Sequence, residues 1–259
     1  MLRTNLKLVV SENERGDLVQ KKEPVVGGLL KSPTQAHVIP FIAWVALMFL
    51  GSYIFNDNPW GYVVQTAIGF ALLFIYRPWR WYKKSSLKNV PPAIFVGIIV
   101  AVIWIAPEMR DGNAGLALWQ ELYLRFGILP LGELPDTVSP SIYAPSENGW
   151  FFTIVRLIGS AFAIAIIEEF FWRGFLYRWL IDRNFTRVKF TGYEWEAFLF
   201  TCLLFGLEHN RWAVGVIAGV LYLVLLIKTS DIGAACIAHV ITNFLLGLYV
   251  IQTQSYQFW

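Results

Sequence analysis

Charge is what this chain has least of. Only 15% of its 259 residues are Asp, Glu, Lys or Arg, while 56% are hydrophobic and 17% aromatic, with a mean hydropathy of +0.52. Soluble domains carry about 25% charged residues, so this composition excludes an ordinary soluble domain and reads as an integral membrane protein. Cysteine is nearly absent too. Cys202 and Cys236 both lie inside apolar segments, which excludes a disulfide framework or a cysteine metal site and leaves two small core residues. Residues 1–35 lack the apolar stretch of a cleavable signal peptide and carry Arg3, Lys7, Arg15, Lys21, Lys22 and Lys31, the make-up of a cytosolic tail. No nucleic-acid motif occurs. The net charge of +3 comes from basic blocks beside apolar runs, a topological signal that implies no nucleic-acid partner.

What remains is a series of apolar runs. The first two, Val38–Phe55 and Trp60–Tyr76, are joined by a turn without Lys or Arg and followed by Arg77, Arg80, Lys83, Lys84 and Lys88. Positive loops stay in the cytosol, so this block puts the first turn outside. A third run, Pro91–Ile105, leads into the connection Pro107–Gly149, which has six acids against Arg110 and Arg125 and is expected outside. Within it, 116–124 alternates apolar and polar groups at helical spacing, as an interfacial helix does. The fourth run, Trp150–Ile181, is 32 residues long, about 48 Å of helix against a hydrocarbon core of about 30 Å, so it must tilt or protrude. Arg178, Arg183, Arg187 and Lys189 form a second positive loop, and Tyr193–Leu207, Val214–Ile227 and Ile232–Ile251 complete the set, with Lys228 marking a cytosolic turn.

The expected fold is therefore all-α, a polytopic membrane helix bundle of about seven (seven to eight) transmembrane helices with a cytosolic N-terminus. It would be a multi-pass protein of the cell (inner) membrane. The chain divides into a polar tail (1–35), N-terminal membrane helices with an extracytosolic loop (36–149), a core holding the polar groups described next (150–251) and a C-terminal tail (252–259).

Ionisable side chains at membrane depth are costly and persist where they face a protein interior or a wet cavity. Glu168 and Glu169 sit side by side in such a run. Successive helical residues point about 100° apart, so the two acids face different ways, and Glu169 meets Arg173 at i,i+4. Glu168 is left without a partner on its own helix, free to hold water or a ligand. Snorkelling to a helix end would account for Arg173 and Arg178 but not for the glutamates. Two histidines join them: His209 closes the fifth run, and His239 in the seventh shares a face with Asn243. Counted from the cytosolic end, His239 lies about 10 Å deep. A single site is possible if the Glu208–Arg211 turn sits inside the bundle, where irregular backbone is tolerated only against protein or a cavity. Taken singly, a membrane His or Asn serves as interhelical glue; the set on three helices points to a catalytic site.

In order and spacing, Glu168-Glu169-x-x-x-Arg173, Phe205-x-x-x-His209 and His239-x-x-x-Asn243 resemble the motifs of the CAAX prenyl protease and bacteriocin-processing (CPBP, ABI) intramembrane protease family, which contains the type II CAAX prenyl endopeptidase. The resemblance covers about Trp150–Gly247; the first 149 residues carry no family motif, and Glu208 beside His209 is outside the pattern. It implies that Glu168 and His209 activate a water, that His239 and Asn243 stabilise the oxyanion, and that Glu169 and Arg173 support them. It also implies a membrane-associated protein or peptide substrate, prenylated CAAX proteins among them. Peptide hydrolysis needs a base poised near working pH, which burial can supply by raising a carboxylate's pKa, and donors aimed at the developing oxyanion.

Two histidines and a glutamate are also a zinc set, so Glu168, His209 and His239 would be the ligands if a metal were used. The histidines lack His-Glu-x-x-His spacing and Asn243 is a poor zinc ligand, so the expectation is a metal-free, water-activating site without cofactor. The leading reading is an intramembrane endopeptidase reached from the cytosolic side. The other two are a non-enzymatic immunity or scaffold protein on the same fold, and an ion-binding transporter, whose usual internal repeats with paired broken helices are not found here.

Overall fold

The positions of the apolar runs and of the breaks between them decide where the chain turns. The computed structural model describes residues 32–56, 58–109, 116–132 and 141–259. Most of the N-terminal tail and parts of the 107–149 connection lie outside the described residues. Among those described, every regular element is a helix and there is no strand.

Helix α1, Pro33–Phe55, opens on a capping box in which Ser32 Oγ accepts from the Gln35 amide and Gln35 Oε1 accepts from the Ser32 amide, satisfying two otherwise orphaned donors. Helix α2, Trp60–Tyr76, returns antiparallel to it and stops where Arg77 turns left-handed at φ 49°. Helix α3 spans Val90–Ile105. The 116–124 stretch appears as helix α4, Leu118–Phe126, which buries only Leu124 and leaves Leu118, Trp119, Leu122 and Phe126 exposed. Helix α5 is continuous over Trp150–Ile181 but widens into π-turns at Gly159–Ile164 and Phe170–Leu176. Helices α6 (Trp195–Leu207), α7 (Trp212–Thr229) and α8 (Ile232–Thr253) complete the bundle.

A helix therefore forms at each of the seven expected runs. Five are long and apolar enough to cross a membrane: α1, α3 with its 3₁₀ extensions (Leu87–Glu108), α5, α7 and α8. Helix α2 has 17 residues and α6 has 13; at 1.5 Å per residue α6 is about 20 Å long, short of a hydrocarbon core of about 30 Å. Polarity is distributed as a bilayer demands. Phe49, Phe74 and Phe95 are 63–69% exposed, while Gln65, Thr153, Glu168, Glu169, Arg173, His239 and Thr242 are buried. These apolar helices make the chain an integral membrane protein.

Close backbone approaches set the helix positions. The most extensive helix pair is α3 with α8, where a Cβ on Gly97 would lie 2.6 Å from the Ala238 carbonyl oxygen. The Gly97 carbonyl accepts from Thr242 Oγ1 at 2.9 Å. Small residues of this kind let membrane helices touch backbone to backbone. In the α6–α7 hairpin a Cβ on Gly206 would lie 2.7 Å from the Trp212 carbonyl oxygen.

The two ends of the bundle are chemically distinct. At one end meet the loops rich in Lys and Arg. Arg178 donates to the Val188, Thr186 and Gly174 carbonyls, His37 Nε2 and Tyr82 Oη are 2.6 Å apart, and Ser86 and Asn89 donate to Asp231, the N-cap of α8. At the other end Arg211 pairs with Glu108 and donates to the Gln257 carbonyl, and the segment after α4 bonds the α6–α7 turn through Leu129 N to Asn210 O. The Glu208–Arg211 turn, expected inside the bundle, instead closes this end of it, with Arg211 buried and tied to its neighbours but Glu208 and Asn210 exposed.

Candidate active site

The adjacent glutamates do face different ways. Glu169 is fully buried, and its Oε1 lies 3.1 Å from Arg173 Nη1 and 2.9 Å from His239 Nδ1. Arg173 is likewise fully buried, its guanidinium 4.0 Å from the centroid of the Phe205 ring and within 3.5 Å of the Gly219 carbonyl. The snorkelling explanation does not hold for Arg173, and Arg178 is buried against loop carbonyls. Glu168 is 6% exposed, and its Oε2 makes no hydrogen bond; His239 Nε2 lies 3.8 Å from it.

Four residues singled out in the sequence, Glu168, His209, His239 and Asn243, line one cavity of about 150 Å³. Glu169 and Arg173 stand behind it. His209 Nδ1 lies 2.8 Å from the Phe205 carbonyl, four residues earlier. A carbonyl can only accept, so Nδ1 carries the hydrogen and Nε2 of the neutral ring is left as an acceptor. The ring stands edge-on to Trp104 and tilted against Phe205. His239 stacks on Tyr222 with centroids 4.9 Å apart, and Tyr222 Oη donates to Thr242. Asn243 Nδ2 donates to the Ser160 carbonyl at 2.9 Å, inside the first π-turn, where the helical ladder is widened and its carbonyls are open to outside partners. One hydrogen of that amide remains for another acceptor.

Sequence reasoning missed several groups at the site. Tyr222, Thr242, Trp104, Ser160 and Arg156 line the cavity; nothing in the local pattern of the first four sets them apart from core residues, whereas Arg156, a charge inside an apolar run, carries the same signal as the glutamates. Glu208, outside the family pattern, accepts from Trp172 Nε1 at 2.9 Å and lines a second, larger cavity of about 420 Å³ together with Trp44, Tyr62, Gln65, Arg156, Glu168 and His209. Access also differs from expectation. The lining of both cavities runs from Glu168 to Asn58, Tyr143, Gly247 and Trp259, towards the end opposite the Lys- and Arg-rich loops. The sequence suggested an approach from the charged end; there, buried Arg173 and the Tyr82–Arg178 contacts fill the bundle.

Among the described residues no group of three His, Cys, Asp or Glu side chains is placed to hold a metal ion. Glu168, His209 and His239 line the same cavity, and each histidine has Nδ1 hydrogen-bonded, to the Phe205 carbonyl and to Glu169, which leaves Nε2 free.

No curated protein and no solved structure matches the chain. Over residues 150–245 it matches the family described as Type II CAAX prenyl endopeptidase Rce1-like, a span that takes in every candidate site residue and supports a CAAX protease-like family.

Proposed function

We propose that the chain is an intramembrane endopeptidase, in which a water between Glu168 and His209 attacks a peptide carbonyl of a membrane-associated substrate. The observation that carries this reading is the contrast between the two glutamates: Glu169 is held by Arg173 and His239 behind the cavity, whereas Glu168, with no hydrogen bond to its Oε2, lines the cavity together with His209. A carboxylate with free lone pairs beside an imidazole acceptor is a water-orienting pair. Glu168 takes a proton from the water as its oxygen bonds the carbonyl carbon. The same proton passes to the amine nitrogen as the C–N bond breaks.

The negative oxygen formed in between needs donors. The remaining N–H of Asn243 is one. His239 offers Nε2–H only as an imidazolium, because Nδ1–H is directed at Glu169; with Glu168, Glu169 and Arg173 the charges of that form sum to zero.

The test uses purified protein in detergent and a quenched-fluorescence peptide bearing a farnesylated cysteine four residues from its C-terminus. Cleavage by the parent, its loss in Glu168→Gln, and its persistence in a chelator are the expected results. Cleavage that survives Glu168→Gln sinks the assignment, and cleavage lost to chelator and restored by Zn²⁺ replaces the activated water with a zinc-bound one.

A further inference from the structure

Arg156 is a cation in the apolar run of α5 with no carboxylate within ion-pair distance among the described residues. Its Nε is buried without a hydrogen bond, and its guanidinium carbon lies 4.3 Å from the Tyr62 ring centroid and 5.2 Å from that of Tyr143. The two rings, with centroids 5.6 Å apart and inclined at 62° to each other, flank one side of the guanidinium and neither supplies a charge partner. Its N–H edge is the part that binds planar oxyanions with two parallel hydrogen bonds.

The edge belongs to the space that Glu168 faces. Arg156, Ser160, Ile164 and Glu168 line both cavities, at four-residue intervals along α5. In an unbroken α-helix residues twelve apart point about 120° away from each other; the extra residue of a π-turn takes back about 100° of that. The π-turn at Gly159–Ile164 falls between the two. It brings the unpaired cation and the unpaired carboxylate onto one face, at opposite ends of a common stripe.

We infer that Arg156 is an anion-binding subsite that holds a carboxylate or phosphate oxygen group of a bound molecule. On the endopeptidase reading, on which this part rests, that group belongs to the substrate. The Cα atoms are about 18 Å apart along the helix, and both side chains reach inward. At about 3.3 Å per extended residue, the anion lies about three to five residues from the bond that is cut.

The experiment separates this inference from the protease reading by measuring binding in the Glu168→Gln protein, where no turnover is needed. The probes are the farnesylated peptide with a free C-terminal carboxylate, the same peptide amidated, and nanodiscs of phosphatidylglycerol or phosphatidylcholine. The expected result is that the carboxylate peptide binds about ten- to hundredfold more tightly than the amide, the size of one or two charged hydrogen bonds. Arg156→Gln removes the difference and Arg156→Lys keeps part of it. If the two peptides bind alike but phosphatidylglycerol raises the thermal midpoint in an Arg156-dependent way, the anion is a lipid phosphate. The inference is overturned if the parent distinguishes neither pair, or if a preference persists undiminished in Arg156→Gln protein that remains monodisperse. Cleavage by the parent together with such a result would leave the protease reading standing without this subsite.

Discussion

At the scale of single residues, the two neighbouring glutamates differ in what holds them: Glu169 has Arg173 and His239 within hydrogen-bond or ion-pair distance, whereas Glu168 Oε2 has no hydrogen bond. Glu169 and Arg173 form a fully buried pair. Removing one member of such a pair leaves the other charge uncompensated, at a cost of about 3–5 kcal/mol, whereas replacing both with apolar groups of similar volume is close to neutral. We predict that Glu169→Gln and Arg173→Met each lower the thermal midpoint in detergent strongly and that the double variant recovers most of the loss. Glu168→Gln, which removes a buried oxygen without a hydrogen bond, is predicted to leave the midpoint unchanged or raise it. A Glu168→Gln protein as unstable as Glu169→Gln would contradict this division. The i,i+4 spacing made the Glu169–Arg173 pair legible in the sequence. The 70-residue contact from His239 to Glu169 was not, since no local pattern encodes the facing of two remote helices. Nor was Glu208, whose bond to Trp172 explains a charge that the motif does not call for.

At the scale of elements, α8 carries His239 and Asn243, and its placement depends on what fixes it at both ends of the site. Gly97 lets α3 lie against its middle, and Asp231 holds its start. Asp231 accepts from Asn89 Nδ2 at 2.9 Å, from the Ser86 amide at 3.0 Å and, as N-cap, from the Gly233 amide at 3.0 Å. Burial opposes its ionisation, but these bonds and one from the Ser85 hydroxyl outweigh it and hold the carboxyl below the ordinary carboxylate range. A folded-state pKa below the unfolded value means that the ionised form is favoured by folding. The stabilisation is complete above about pH 4, the unfolded aspartate value, and is lost as pH falls below it. We predict that Asp231→Ala lowers stability at pH 7 by about 0.5–2 kcal/mol, the range for losing an N-cap. The difference from the parent should shrink in unfolding curves taken below pH 4; an unchanged difference there would rule out the ionised cap as its source. The helix itself was legible from its apolar run. The π-turns of α5 were not, because the run reads equally well as an unbroken helix.

At the scale of the whole molecule, the loops sort by composition. Those rich in Lys and Arg meet at one end, and Glu108, the α6–α7 turn and residues 254–259 meet at the other. If the positive end is cytosolic, both cavities face the other side. We predict that, in a Cys202→Ala/Cys236→Ala background, Asn58→Cys reacts with a membrane-impermeant maleimide on intact cells, while Lys84→Cys reacts only after permeabilisation. The reverse pattern would invert the topology and restore access from the cytosol. What the sequence determined by itself is what short-range chemistry encodes: apolar runs long enough to need lipid, charge blocks that order the loops, and residues four apart that share a helical face. The tertiary structure alone decided which remote groups meet. His239 reaches Glu169, Asn243 reaches Ser160, and Arg156 turns towards Glu168's cavity. These outcomes depend on close glycine contacts and one extra residue in a helical turn, and such small rotations and translations leave no periodic trace in the order of residues.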